Sequence, residues 1–165
     1  MKPVLRTLGV LTSGGDAPGM NAAIRSVVRA ASYYEIKPFG IYEGYQGLIE
    51  NNIFPLTARS VKNILNRGGT VLKSSRSEAF KTKAGRAQAY ENLNKQGIDA
   101  LVIIGGNGTF QGGEYFCEEY DIPVLGLPGT IDNDLYGTDY PLGFDTATNV
   151  VTDCVDKSRD TAESH

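Results

Sequence analysis

Cysteine is scarce in this chain of 165 residues: Cys117 and Cys154 are its two thiols, and they form neither a C-x-x-C pair nor a metal-ligand spacing. That pattern offers no thiolate metal site, points to a reducing compartment, and leaves both thiols expected as buried bystanders. An excess of positive charge is also missing, with a net charge of -3 and a pI near 5.2. There is thus no sequence-wide basic field, so no nucleic acid and no anionic membrane surface is expected as a partner. Long apolar runs are absent too. The stretch "MKPVLRTLGVLTSGGDAPG" is too short in its apolar part for a signal peptide, and nothing later reaches the length of a spanning helix, so a cytoplasmic location is expected. Long linkers, low-complexity tracts and repeats are missing as well.

Glycine is what the chain has in excess. Its 20 glycines among 165 residues exceed the usual share of about 7%, and because they cluster, they mark sites rather than a flexible texture. The largest cluster is "IIGGNGTFQGG", where glycines follow directly behind a run of aliphatics.

Strands and helices alternate along the sequence. Thr7 to Leu11 is short, apolar and partly β-branched, "TSGGDAPGMN" breaks the run, and a helical pattern follows, which reads as strand, loop, helix. Ile24, Val27, Val28 and Ala31 form one apolar stripe at helical spacing while Arg25 and Arg29 point elsewhere. "KPFGIY" reads as a second strand. Ser60 to Asn66 reads as a short helix ended by Gly68 and Gly69, and "RGGTVLKSSRSEAFKT" as an exposed loop. Gly85 to Gln96 has the polar pattern of a surface helix that stops at Gly97. Ala100 to Ile104 is continuously apolar, as suits a central parallel strand covered on both faces. Phe110 to Tyr120 is predicted helical, "IPVLGLPG" a strand, and Thr146 to Arg159 a last helix with Val150, Val151, Cys154 and Val155 inward. The sum is an α/β fold: a three-layer, doubly wound, mostly parallel sheet with helices on both faces, as one domain over residues 1–165.

Ligands of such sheets bind beyond the carboxyl ends of the strands. Three glycine-bearing loops, 13–21, 105–112 and 128–134, each follow a predicted strand, so they are expected to converge on one edge. Glycines there expose backbone amides and the following helix adds partial positive charge, which suits phosphate. Each loop taken alone could equally be a tight turn without a ligand. In the third, Asp132 and Asp134 flank Asn133; two carboxylates beside a phosphate cradle call for a cation such as Mg²⁺ or for a proton transfer, while the plainer reading is a capped, solvated turn.

The segments "LTSGGDAPGMNAAIR", "RGGTVLKSSR", "IIGGNGTF" and "GLPGTIDND", in this order and at these separations, closely resemble the N-terminal half of a 6-phosphofructokinase, and the resemblance covers essentially the whole chain. It implies an ATP-dependent phosphorylation of fructose 6-phosphate at the 1-hydroxyl, giving fructose 1,6-bisphosphate in glycolysis, with Mg²⁺ as cofactor. By the same resemblance Asp132 is the general base, Thr130 a neighbouring substrate contact with Ile131 beside it, and Arg76 the holder of the transferring phosphoryl group. Gly14, Gly106, Asn107, Gly108 and Thr109 line the ATP site, and Asn107 and Asp134 lie at the metal. Arg76 could equally be a solvated loop cation. The glycines at 108 and 129 favour ATP, because pyrophosphate-using relatives carry aspartate and lysine there, bulk that would fill the space of the α-phosphate. Arg25, Arg29, Arg59 and Arg159 match positions that bind a phosphorylated allosteric effector at a subunit interface in bacterial members; the alternative for Arg25 and Arg29 is a solvated helix face. The family resemblance further implies a homotetramer.

The sequence departs from the family pattern in two respects. Asparagine stands at 107, where the family usually has aspartate, which weakens the attraction for Mg²⁺ because the ligand has lost its charge. Family members are also about twice as long, so the chain is expected to be the N-terminal part of a longer enzyme and inactive alone. The competing readings are a noncatalytic or regulatory nucleotide-binding relative, a lipid or NAD kinase with a similar glycine loop, and a pyrophosphate-dependent phosphofructokinase.

Overall fold

The computed structural model describes residues 5–164. The elements run β1 (Thr7–Thr12), α1 (Met20–Tyr33), β2 (Lys37–Ile41), α2 (Gly44–Ile49), β3 (Ile53–Pro55), a 3₁₀ turn (Ala79–Lys81), α3 (Lys83–Lys95), β4 (Ala100–Gly105), α4 (Asn107–Tyr120), β5 (Val124–Thr130), β6 (Leu142–Gly143) and α5 (Phe144–Glu163). They form a six-stranded sheet in the order β3-β2-β1-β4-β5-β6. Every pairing is parallel except β2 with β3, which is antiparallel.

The layers follow from the alternation of side chains along the central strands. Val10, Val102 and Ile104 face one side, where they meet Ile24 and Val28 of α1; Leu11, Leu101 and Ile103 face the other, against Leu48 of α2, Leu93 of α3 and Phe116 of α4. All six residues of β4 are buried, which explains why its sequence reads as an unbroken apolar run rather than an alternating one.

The predicted strands and most helices stand where the pattern put them. The expected helix over Ser60 to Asn66 does not form. Asn63 takes a left-handed conformation, φ 58°, and the segment closes instead through four-residue turns, with Ser60 N–H donating to the Thr57 carbonyl and Arg67 N–H to that of Ile64. Two of its apolar residues still serve the core, because Val61 and Ile64 are buried with Leu72 against α1, while Leu65 is exposed. The stretch 67–82 is accordingly only partly the exposed loop expected, since Leu72 and Phe80 are buried.

Two further expectations fail on burial. Cys117 and Cys154 are both exposed. The stripe on α5 does not point inward either: Val150, Val151 and Val155 are 56, 61 and 59% exposed, and no residue of the helix is buried. The helical period fixes that these side chains share a face, but only a neighbouring layer could bury that face, and none among the described residues lies on it. Among the described residues, no helix is long and apolar enough to cross a membrane.

Candidate active site

Strand order reverses between β1 and β4. The chain leaves β1 for β2 on one side and β4 for β5 on the other, and α1 and α4 pack on opposite faces. The loops after these two strands must therefore part, and parting loops leave a crevice at the carboxyl ends. Register brings the three glycine loops to the same rim, because Thr12 lies beside Ile104 and Gly105 beside Pro128. The resulting cleft holds about 680 Å³ and is lined from all three loops, by Gly14 and Asp16, by Gly106 to Thr109, and by Gly129 to Asp132 with Asp134. The expected convergence is borne out.

Local chemistry explains how each loop is held. Gly14 has φ 83° and Gly19, which precedes α1, φ 90°, conformations that suit glycine. Thr109 ties the first loop to the second: its buried hydroxyl donates to the Ser13 carbonyl at 3.1 Å, and Ser13 N–H donates to the Ile104 carbonyl. Gly105 is required between them, because a Cβ there would collide with the Ser13 carbonyl and the Thr109 side chain. Gly106 caps α4 without a side-chain hydrogen bond; Thr109 N–H already donates to the Gly106 carbonyl, which leaves the amides of Asn107 and Gly108, both cleft-lining residues, as the helix-opening donors without an intrahelical acceptor.

The third loop carries the acids. Asp132 N–H donates to Thr130 Oγ1 at 3.2 Å, a local turn that sets the Asp132 backbone, and the left-handed Asn133, φ 51°, turns the chain between the two carboxylates. Both acids are exposed. Asn107 Nδ2 donates to Asp134 Oδ2 at 3.4 Å, so the two residues expected at the metal do meet. Among the described residues no group of three or more His, Cys, Asp or Glu is assembled for a metal. One carboxylate and one neutral amide nonetheless suit Mg²⁺, which keeps several waters and is commonly held by one or two carboxylates and by phosphate oxygens.

Arg76 lines the same cleft. Its neighbours are anchored, Ser75 Oγ donating to the Glu43 carbonyl at 2.7 Å and Ser77 Oγ to Gln46 Oε1 at 2.6 Å, while Arg76 itself is exposed and forms no ion pair among the described residues. The loop cation thus stands at the cleft, open to solvent.

Of the four arginines expected at an effector site, Arg25 and Arg29 lie on α1, Arg59 on the turns over residues 57–67 and Arg159 on α5. Arg25 donates to the Val61 carbonyl at 3.5 Å, and Arg29 and Arg59 are exposed. Arg159 lies within 4 Å of acids of its own helix, Asp156, Asp160 and Glu163.

Sequence reasoning missed the floor and outer wall of the cleft. Tyr45, only 5% exposed, donates its hydroxyl to the Thr109 carbonyl at 2.6 Å and stacks on Phe80 with ring centroids 4.0 Å apart; burial pushes its phenol well above the ordinary value. Phe80, Lys81 and Tyr115 complete the wall. No local signal marks them, because each becomes a cleft residue only through the packing of α2, α3 and α4. The pair of glycines around Tyr45 was the one legible hint: Gly44, φ 59°, has no room for a side chain beside the Thr12 carbonyl.

Comparison with known proteins agrees with this geometry. The chain is 56% identical over 161 residues to the ATP-dependent 6-phosphofructokinase 2 of Bacteroides thetaiotaomicron, covering 98% of this chain and 49% of that protein. It is 57% identical over 161 residues to the ATP-dependent 6-phosphofructokinase of Oceanobacillus iheyensis, covering 98% and 50%. Its fold superposes on the phosphofructokinase of Saccharomyces cerevisiae with a TM-score of 0.92 at 37% identity, over 97% of this chain and 25% of that one. The chain spans about half the length of the curated relatives it matches. With the phosphofructokinase family model matching residues 7–165, the chain belongs to the phosphofructokinase family.

Proposed function

We propose that this chain supplies the nucleotide site and the general base of an ATP-dependent 6-phosphofructokinase, which transfers the γ-phosphoryl group of ATP to the 1-hydroxyl of fructose 6-phosphate. The observation that carries the reading is the single cleft in which Gly14, Gly108, Arg76 and Asp132 stand together. In this mechanism the open amides at the start of α4 and the first glycine loop receive the phosphates, and Arg76 neutralises charge on the phosphoryl group in flight. Asp132 accepts the hydroxyl proton as the sugar oxygen forms its bond to the γ-phosphorus and the bond from that phosphorus to the ADP oxygen breaks. Thr130, whose hydroxyl already accepts the Asp132 amide, and Ile131 flank the sugar. Asp134 and Asn107 would hold Mg²⁺, which when bound adds positive charge beside the phosphate oxygens. Further sugar-phosphate contacts, the homotetramer, the cytoplasmic setting and an effector site at Arg25, Arg29, Arg59 and Arg159 belong to the same proposal for the intact protein.

The experiment is Asp132→Asn in the intact protein. The asparagine keeps the shape and loses the proton acceptor, so kcat is expected to fall by about 10²- to 10⁴-fold with ATP binding retained. A variant that turns over at the rate of the parent would remove Asp132 from the chemistry. Asn107 favours a second reading, a regulatory nucleotide-binding relative, because it replaces a charged ligand with a neutral one. That reading requires an intact parent protein that binds ATP and phosphorylates nothing.

A further inference from the structure

Arg86 is the most constrained charge in the described chain. It sits in the first turn of α3 and is only 5% exposed, yet four donor contacts are taken up. Nε donates to Glu119 Oε2 at 2.8 Å and Nη2 to Glu119 Oε1 at 2.6 Å, a bidentate fork onto the last turns of α4. Nη1 donates to the carbonyls of Phe80 at 3.1 Å and Lys81 at 2.8 Å. The face of the guanidinium lies 4.6 Å from the ring centre of Tyr115, one turn before Glu119 on α4.

These partners have a common property. Phe80, Lys81 and Tyr115 all line the cleft, as Arg76 does. The carbonyls that Arg86 engages end a three-residue 3₁₀ turn, too short to satisfy its own last acceptors. The Phe80 ring plugs that turn into the core between Tyr45 and Phe116, and hydrogen bonds from Lys81 N–H to the Glu78 carbonyl and from Thr82 N–H to the Ala79 carbonyl hold its peptide planes locally, with no tie to α4. The guanidinium supplies that tie, because a rigid planar fork with one end on Glu119 engages both carbonyls at once and so sets the turn relative to α4. A core contact alone would not require a charge here, since apolar pairs of similar volume often replace buried ion pairs at no cost in stability.

We propose that Arg86, oriented by Glu119, is a positioning residue that sets the outer wall of the cleft for the nucleotide, through the carbonyls of Phe80 and Lys81 and the ring of Tyr115. The proposal rests on the reading of the cleft as an ATP site. Arg86 touches no reacting atom in it, so its effect belongs to nucleotide binding and not to the chemical step. Lysine at this position keeps the charge and loses the fork: one ammonium cannot serve the Glu119 carboxylate in two places and two carbonyls on the other side. Glutamine at 119 keeps the shape and one acceptor, and presents an amide donor to a donor of Arg86.

The test is steady-state kinetics on the intact protein with Arg86→Lys and Glu119→Gln, with ATP binding measured separately by calorimetry and folding by thermal midpoint. Arg86→Lys is expected to raise KM for ATP about tenfold and Glu119→Gln about threefold, the scale of one or two charge-assisted hydrogen bonds, while KM for the sugar phosphate and kcat move by less than about twofold. A role confined to stability would lower the thermal midpoint and leave the ratio of the two KM values where it was, and that result overturns the proposal. If Arg86→Lys fails to fold, the same ratio in Glu119→Gln decides. Failure of the functional reading looks different: the parent protein itself then shows no heat of ATP binding, whereas a parent that binds ATP and variants that bind it equally well refute the positioning role alone.

Discussion

Gly108 and Gly129 border the same cleft, but a side chain would take a different course from each. A Cβ at Gly108 meets nothing within 4 Å, whereas one at Gly129 starts 3.3 Å from Ile104 and 3.4 Å from Met20. Gly108 therefore leaves space for a ligand, while Gly129 leaves space for the core first, and a lysine there would have to pass those two side chains before reaching the cleft. Gly108→Asp is accordingly expected to fold as the parent does and to lose ATP binding, since it adds a carboxylate and bulk where phosphate would lie. Calorimetric titration with ATP reads the outcome, and undiminished affinity would show that the space is not used by the nucleotide. Asn107 makes the converse point: a neutral amide attracts a cation less than a carboxylate would, yet it stands 3.4 Å from Asp134 Oδ2, beside the acid proposed to hold Mg²⁺ with it.

At the scale of elements, the site is held together by a helix of six residues. α2 is far too short to be stable alone; it persists because Leu48 and Tyr45 are buried against the sheet and α4. Tyr45 is its functional residue, joining α2 to the first turn of α4 through the Thr109 carbonyl. Gly112 exists for the same contact, because a Cβ there would overlap the Tyr45 ring at 2.6 Å. Tyr45→Phe deletes only the hydroxyl and is expected to cost about 1 kcal/mol, read as a lower urea midpoint at unchanged slope. An unchanged midpoint would mean that the hydroxyl contributes nothing net. The turns over residues 57–67 illustrate the opposite case, in which burial is met without a helix: Val61 and Ile64 reach the core from an irregular backbone bent at Asn63.

For the whole molecule, the Arg86–Glu119 pair links α3, α4 and the wall of the cleft, and its acid dependence follows from one carboxylate. Hydrogen bonds from Arg86 are the largest cause holding the Glu119 carboxyl below the ordinary range, with partial desolvation opposing them and Lys83 adding to the pull. A carboxyl depressed on folding lends stability that is complete above its unfolded value, about pH 4.3, and is lost as pH falls through the folded value below that. The difference in thermal midpoint between the parent and Glu119→Gln is thus expected to be constant from about pH 5 to 7 and to shrink below about pH 4; a difference that persists unchanged into acid would sever the link. That pair was invisible in the sequence, where Arg86 and Glu119 sit 33 positions apart on two predicted helices, the first of them read as polar surface. What the sequence determined by itself was local: the strands, whose apolar runs need two covered faces, the glycine turns, whose positive φ and close approaches few other residues tolerate, and the identities of Asp132, Asp134, Arg76 and Asn107. What only the tertiary structure decided was which layer each face meets, and so that Tyr45 and Phe80 wall a cleft, that both cysteines lie in the open, and that the apolar stripe of α5 is bare. The physical reason is that backbone sterics and hydrophobic period act over a few residues, whereas burial and pairing depend on neighbours that the chain brings together only after it has folded.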